Sequence, residues 1–556
     1  MNRRTGIPTQ LEQAAEWAAG FRLESAPTDV IELSQLQIAN IIAAILAGSR
    51  SEAGRKARAA LEPTLSPGAC TLLPDGEGVS LWDALWLHAV YANALELDDF
   101  HYRGHLGPSV VVVPLSLAEM YPLDGASVLR AQVVANELAG RLGWAVNAEI
   151  RHGHQRSYLL RFAAAAAAGV LIGLDAPRLA TALAIAMTQP ENPLHPGMFS
   201  PDTKALSAAP SVVEGVRAAL LAAHDFTAAR DILEHPAGFY RQFTLQREAP
   251  SPFLQLGEAW STHALCFKRY AACAYASGAV DAARAIAAEP AWDPLQVERF
   301  EVASSLPALI MERLARPHEP DRLTPVNVQF SILRSVALAL WRGDIRGPDF
   351  TPDAFARAVE PVRALSSRGT LSHDWSFTLH QLKGLDAGLR HGGGRRSADM
   401  IQFYRTSGEF RQMFGSARAI GARDLLRLLR LPPEDRRFFA RRWARSAGSH
   451  LQRILGRDEA DPRPLGDLRQ LSFRMGARVT VVLRDGRRLE AERVIPSGMA
   501  GDPDRAAVVR EKFRAECDPV IGPARRQLAW DAIQALSTAG RADLARTIGQ
   551  PEGAMR

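Results

Sequence analysis

The chain has 556 residues, of which 47% are hydrophobic and 23% charged, and its formal net charge is +6. This composition is ordinary for a soluble globular protein, and the length allows two or three domains. The longest apolar stretch, Phe162 to Leu174, has 13 residues and indicates a buried core helix rather than a membrane span. Reduced thiols, rather than a disulfide framework, are predicted for Cys70, Cys266, Cys273 and Cys517.

The N-terminal residues carry two arginines and no apolar run. This pattern predicts neither a secretory signal nor a removable segment. We therefore expect a cytoplasmic protein that does not bind membranes.

From Pro8 to about Phe267 the chain is a succession of alanine- and leucine-rich segments interrupted by Gly, Pro and Asn. Such periodicity predicts helices, and we expect an all-helical domain over residues 1–267. The alanine-rich stretch at 163–168 is expected to let neighbouring helices pack closely.

A polar cluster lies inside this helical part, in ALELDDFHYRGHLGPSVVVVP at 94–114. Glu96, Asp98 and Asp99 end the apolar, amphipathic stretch from Leu81 to Leu97, and the valine run starts the next buried element. The polar residues between two buried segments are expected to lie on a short, rigidly held loop, which suits reactive groups. A solvated loop after a helix is the simpler alternative.

From about residue 268 the pattern changes. VERFEVASS (Val297 to Ser305) and ARVTVVLRDGRRLEAERV (Ala477 to Val494) have the composition of strands, and the second predicts a hairpin around Asp485 and Gly486. We predict a smaller α/β domain over residues 268–501.

An arginine-rich segment at 395–457 contains 15 arginines, no lysine and five acidic residues, so it carries +10 while the rest of the chain carries about −4. A basic surface of this kind can bind a polyanion. Its helical pattern, with Phe438, Phe439 and Trp443 on one face, favours a structural insertion at about 374–464 or an oligomer contact. Nucleic-acid binding is the less favoured alternative, and a homodimer is the expected assembly.

The sequence does not favour a metal site. The four cysteines lack the close spacing of iron–sulfur ligands. The pairs His101 and His105, and His152 and His154, could converge on a metal, but they lack the helical frame of a zinc protease motif. We expect no metal.

Several segments, in their order, resemble the MmgE/PrpD family, which includes 2-methylcitrate dehydratase, cis-aconitate decarboxylase and iminodisuccinate epimerase. The similarity covers nearly the whole chain apart from the insertion. It consists of the acidic motif ending at His105, His154 before the alanine-rich helix, Lys204 in SPDTKALSAA, Lys268 in CFKRYAACAYASGAVDAA, HDFTAARDILEHPAGFYRQF (His224 to Phe243) and REKFRAEC (Arg510 to Cys517).

The resemblance implies a mainly α protein, with an all-helical domain, a smaller α/β lid domain and a return to the helical domain at 502–556. It also implies a cofactor-free enzyme. Elimination of water, loss of carbon dioxide and epimerisation all develop negative charge beside a carboxylate. Fixed cations and a histidine suit this chemistry, so His105, His154, Lys204 and Lys268 are predicted to be catalytic.

Two positions depart from the decarboxylases. Phe100 stands where they usually have threonine after the two Asp, and Arg334 stands where they have tyrosine. A cation in place of a phenol suggests an additional anionic partner on the substrate. We predict substrate-binding roles for Glu96, Asp99, Arg103 and Arg334.

The sequence thus predicts a cofactor-independent lyase acting on a di- or tricarboxylate, with dehydration of a 2-methylcitrate-like acid as the first choice. The alternatives are a decarboxylase or an epimerase on a related acid, or a non-catalytic protein that binds through the basic insertion.

Overall fold

The computed structural model describes residues 7–101, 104–121, 123–146, 157–244, 252–315, 322–388, 426–454, 466–540 and 544–549, without the side chains of residues 443 and 445–454. Within these residues the protein is mainly helical, which confirms the predicted fold class. His154 and Arg103, two of the predicted site residues, lie outside the described residues.

The part before residue 268 is helical except for two short strand pairs. Its helices are α1 (Gln10–Gly20), α2 (Thr28–Ser49), α3 (Glu52–Leu61), α4 (Leu81–Ala94), α5 (Gly107–Val110), α6 (Val112–Met120), α7 (Gly125–Ala145), α8 (Ser157–Leu171), α9 (Ala176–Thr188), α10 (Ala209–Ala223) and α11 (Phe239–Phe243). The strands are β1 (Pro67–Leu72) paired with β2 (Glu77–Val79), and β3 (Asp99–Phe100) paired with β4 (Cys266–Phe267).

Local sequence signals account for several of these helices. A capping box between Thr9 and Glu12 starts α1. The alanine-rich α8 is buried along its whole length, and a Cβ on Gly215 of α10 would lie 2.5 Å from the Cβ of Ala164. Helices α8 and α10 therefore approach closely, as the sequence predicted.

One segment differs from the sequence interpretation. Helix α4 is not amphipathic, because its residues are buried on nearly every face. The valine run at 110–113 is buried, as expected, and belongs to the short helices α5 and α6. Tertiary packing around α4 decides its burial.

After residue 268 the chain adds a four-stranded sheet with helices. The strands β5 (Val297–Ser304), β6 (Gly369–His373), β7 (Ala477–Leu483) and β8 (Arg488–Arg493) have the order β6-β5-β7-β8. The β7–β8 pair is antiparallel around Gly486, which has a φ of 87°, so the predicted hairpin is confirmed. The helices are α12 (Ser277–Ala287), α13 (Leu306–Leu314), α14 (Pro325–Phe330), α15 (Ile332–Arg342), α16 (Pro352–Ser366) and α17 (Trp375–Gly388).

The arginine-rich segment contributes α18 (Pro433–Ile454), which packs on α17. Asp435 bonds Lys383, Arg442 bonds Asp386, and the ring of Phe439 lies 5.5 Å from that of Trp375. The exposed side of the helix carries Arg436 and Arg437. The described part of the insertion is thus a helix with one packed face and one basic face.

The chain then returns to the helical part through α19 (Arg505–Gln534), which packs along α2, and α20 (Leu544–Gly549). One large hydrophobic core includes residues from both the helical part and the sheet. The exact domain boundaries proposed from the sequence stay predictions.

Two helical segments are long and apolar enough to cross a membrane by length and composition alone, Thr28–Ser49 and Asp202–Ala223. Of their most apolar windows, 83% and 67% of the residues are buried inside the fold. Core helices of a folded domain pass the same test, so this feature is weak support for a membrane span.

Candidate active site

The site begins where α4 ends. Glu96 follows this helix with a φ of 55°, a left-handed conformation that glycine usually supplies at a helix C-terminus. A residue with a side chain adopts it at a cost of about 1 kcal/mol. Such strain persists where the surroundings fix it, and here the Glu96 side chain is only 6% exposed and bound by two lysines.

Lys204 is the first of these lysines. It lies in the 3-10 helix Asp202–Ser207 and is fully buried. Its Nζ contacts Glu96 Oε1 and the backbone carbonyl of Asn93. The Asn93 amide in turn donates to the Lys204 carbonyl at 3.2 Å, so the lysine and the end of α4 are tied together in both directions.

Lys268 is the second lysine, and the β3–β4 pair brings it to the acidic motif. Asp99 is opposite Phe267 and Phe100 is opposite Cys266 in this two-residue ladder, so Lys268 emerges beside Asp98. Its Nζ lies 2.8 Å from Glu96 Oε2 and 2.5 Å from Asp98 Oδ1. Lys268 thus bridges two carboxylates inside the protein.

His105 completes the arrangement, because its Nδ1 lies 2.7 Å from Asp98 Oδ2. Lys204, Glu96, Lys268, Asp98 and His105 form a chain of alternating charges that we call the charged cluster. The His105 side chain is 31% exposed, whereas those of the other four members are at most 6% exposed. His105 is therefore the member that a bound molecule can reach.

Both carboxylates of the charged cluster are ionised. Burial alone would raise the pKa of Glu96, but the ammonium groups of Lys204 and Lys268 bring it below its usual range. Burial likewise opposes ionisation of Asp98, whose pKa is nevertheless held far below normal by Lys268 and His105. Burial would lower the pKa of Lys268, and its two carboxylate partners raise it instead.

Ionised Asp98 fixes which nitrogen of His105 carries a hydrogen when the ring is neutral. A carboxylate can only accept a hydrogen bond, so Nδ1 of His105 must be the donor. The Nε2 atom then accepts a proton when the ring is neutral and donates one when the ring is charged. An oriented imidazole of this kind is a general acid or base.

Asp99 has a different environment from its neighbour. Its Oδ2 accepts a 2.8 Å bond from Gln37 Nε2, whose carbonyl is held by Gln132 and Asn136. Burial raises the pKa of Asp99 to about 6. A Cβ on Gly107 would lie 2.0 Å from Asp99 Oδ1, so this buried carboxyl requires glycine there.

The structure brings four predicted residues, Glu96, His105, Lys204 and Lys268, into the charged cluster, with Asp99 directly beside it. Arg334 lies on α15, where its Nη1 donates to the carbonyl of Ala315 at 3.0 Å. The preceding helix, α14, reaches the cluster, because the ring of its last residue, Phe330, lies 5.9 Å from Lys204 Nζ. Arg334 itself is bonded elsewhere, and the predicted roles of all these residues stay predictions.

Asp98 and Lys512 were not predicted as site residues. Asp98 is part of the acidic motif, and Lys512 is part of the REKFRAEC segment. The rarity of lysine was a signal for Lys512, because only five of the 66 lysines and arginines in the chain are lysine. Three of those five, Lys204, Lys268 and Lys512, are fully buried in this region.

Among the described residues, no group of three or more His, Cys, Asp and Glu side chains could hold a metal ion. His101 is buried, and in the part of the chain that the structure describes neither of its ring nitrogens has a hydrogen-bond partner. His152 lies outside that part. All four cysteines are free, buried thiols.

A mainly helical protein with a buried chain of lysines and carboxylates leading to a reachable histidine has the groups of an acid–base site. The N-terminal part of the chain matches the MmgE/PrpD family. Residues 12–251 match the family model described as the MmgE/PrpD N-terminal domain.

Two similar proteins agree with this match. A cis-aconitate decarboxylase from Aspergillus terreus is 28% identical over 301 residues, which is 50% of this chain and 60% of the relative. The cis-aconitate decarboxylase-like protein oryM from Aspergillus oryzae is 24% identical over 389 residues, or 66% of this chain and 80% of that protein. The chain therefore spans about 60% of the length of the decarboxylase it matches.

Proposed function

We propose that this protein is a lyase that acts on a di- or tricarboxylate, with decarboxylation as its first candidate reaction. The charged cluster carries the proposal, because it places an oriented and reachable imidazole at the end of a buried, balanced set of charges. The similar proteins are a cis-aconitate decarboxylase and a cis-aconitate decarboxylase-like protein, which favours loss of carbon dioxide. Dehydration, which the sequence interpretation placed first, is the second candidate.

Both reactions need what His105 offers. Decarboxylation breaks a carbon–carbon bond and leaves an electron pair on carbon, which a proton from Nε2 of a charged His105 would quench. Dehydration breaks a carbon–hydrogen and a carbon–oxygen bond. A neutral His105 would accept the proton from carbon and pass it to the departing hydroxide, which leaves as water. In either case Asp98 stabilises the positive charge on the ring, and Lys268 keeps Asp98 ionised.

The charge balance indicates that the carboxylates of the substrate would bind to cations outside the charged cluster. Lys204 and Lys268 are neutralised by Glu96 and Asp98, so the charged cluster has little positive charge left for a polyanion. Further cations are required. Arg103 and Arg334, which the sequence predicts to bind substrate, are the candidates. Phe100, at a position usually occupied by threonine in the decarboxylases, supports an acid other than cis-aconitate.

A substrate screen tests the proposal. The purified protein is incubated in heavy water with a panel of acids that includes cis-aconitate and 2-methylcitrate, and the products are followed by proton NMR. We expect one acid to lose carbon dioxide and gain one deuterium. Loss of water would instead identify a hydro-lyase, and proton exchange alone would identify an epimerase.

Two controls belong to this experiment. Asp98→Asn keeps the shape of the side chain but removes the charge that orients His105, so turnover should fall on the order of 100-fold or more. EDTA treatment should leave turnover unchanged, because the proposed reaction uses protein side chains alone. If the wild-type protein changes no acid in the panel, the lyase proposal fails and a binding protein becomes the better interpretation.

A further inference from the structure

Lys512 lies behind the charged cluster, on the helix α19 that returns from the sheet to the helical part. Its side chain is fully buried. The Nζ atom donates to Asn40 Oδ1 at 2.7 Å, to the Lys268 carbonyl at 3.0 Å and to the Leu97 carbonyl. An ammonium group has three donors, and all three have acceptors here.

The acceptors are informative because of where they lie. Leu97 separates Glu96 from Asp98, and the Lys268 carbonyl belongs to the cluster lysine itself. The β3–β4 ladder that joins these two segments is only two residue pairs long. Lys512 bonds both backbones just beyond that ladder, so it continues the connection where the strand pairing stops.

The presence of lysine rather than arginine at position 512 indicates that an ammonium group is required there. The chain uses arginine for nearly all its basic positions, yet it has lysine at 512. A planar guanidinium could not direct three donors from one atom towards three converging oxygens, whereas an ammonium group can. Burying an amine among neutral acceptors is unfavourable, and such a group is retained where it is needed for position.

We propose that Lys512 is a positioning residue, which holds the backbones of the acidic motif and of Lys268 in register so that Lys268 can bridge Glu96 and Asp98. A catalytic role for this register of the two backbone segments rests on the proposed function, whereas the register itself does not depend on that function. Lys512 thereby links the return helix to the site, and the register is lost when this one amine is removed.

Several charged groups surround Lys512. Glu516, one turn along α19, accepts bonds from the Gly347 backbone N–H at 3.0 and 3.2 Å. The charged groups that act on Lys512 are Glu516 on its own helix, Asp98 and Asp99 on the acidic segment, and Lys268 on the facing strand end. Burial outweighs the three carboxylates and lowers the pKa of Lys512.

Side-chain NMR of the five lysines tests the positioning role without any substrate. Lysine is labelled with 13C at Cε, and each signal is assigned with a single Lys→Met variant. Lys512→Met should displace the Lys268 signal, while Lys383→Met, which removes an amine bonded to Asp435 on α18, should leave it unchanged. An unmoved Lys268 signal in folded Lys512→Met protein would overturn the proposal.

Kinetics then separate positioning from substrate binding. With a substrate in hand, Lys512→Met should lower kcat by about tenfold or more and change KM by less than about threefold. Turnover within twofold of wild type would also overturn the proposal. If no acid reacts with the wild-type protein, the lyase proposal fails, and the NMR result still decides the positioning role.

A more conservative substitution tests the proposal if Lys512→Met does not fold. Asn40→Ala removes one acceptor of the amine and keeps both carbonyl contacts. It should displace the Lys512 signal strongly and the Lys268 signal less. Unchanged signals from both lysines would overturn the proposal by this route.

Discussion

The charged cluster and helix α18 use charge in opposite ways. In the cluster, two lysines and two carboxylates are buried and each bonds at least one oppositely charged partner. On α18, Arg436 and Arg437 lie on an exposed face. Buried charges are costly unless paired, so each one in the cluster constrains its neighbours, whereas exposed charges are solvated and contribute little to stability. Charge count therefore says less about function than burial does.

The largest expected effect comes from Lys268→Met. The change leaves the buried carboxylate of Asp98 without its ammonium partner and leaves Glu96 with Lys204 alone. We expect the free energy of unfolding to fall by about 3 to 5 kcal/mol at pH 7, and turnover on the identified substrate to fall at least 100-fold. Urea unfolding and steady-state kinetics measure the two effects. A loss below about 1 kcal/mol would contradict the view that this lysine is structurally paired.

His105→Gln should separate chemistry from stability. The ring is partly exposed, and a glutamine amide can still donate to Asp98, so we expect the melting temperature to change little. Turnover should fall about 100-fold or more, because the amide cannot exchange a proton. His224→Gln, at an exposed position on the surface, is the matched control. Equal activity of the two variants would remove His105 from the mechanism.

Asp99 allows a prediction about pH. Its pKa is raised to about 6 in the folded protein from about 3.9 in an unfolded chain, so its contribution to stability is full below about pH 4 and is lost as the pH rises through 6. Relative to Asp99→Asn, the wild-type protein should lose about 2 kcal/mol between pH 4 and pH 7. Urea unfolding of both proteins across this range measures the difference. A constant difference would mean that Asp99 is ionised throughout.

The smallest effect is expected on α18. Replacing Arg436 and Arg437 with alanine should change the free energy of unfolding by less than about 0.5 kcal/mol and leave turnover intact. Arg442→Met is the matched change on the packed face, where the side chain is buried and bonds Asp386, and it should cost more. A double alanine variant that loses activity would show that the basic face takes part in function.

Much of this protein could be predicted from its sequence. The helical periodicity before residue 268, the hairpin at Gly486 and the family motifs each depend on neighbours along the chain or on fixed residue order. The cluster members Glu96, His105, Lys204 and Lys268 could be selected because the motifs that contain them follow a recognisable order. Their mutual contacts could not be predicted in this way.

Tertiary structure decided the rest. Asp98 and Asp99 are adjacent and identical in type, yet Lys268 and His105 keep the first ionised while burial beside Gln37 raises the pKa of the second. Lys512 acts from a helix more than 200 residues away in sequence from Lys268, and no local pattern indicates this contact. The sequence by itself determined which residue types were available and in what order. The folded chain determined which charges are buried together, because pairing and desolvation depend on distances that only packing sets.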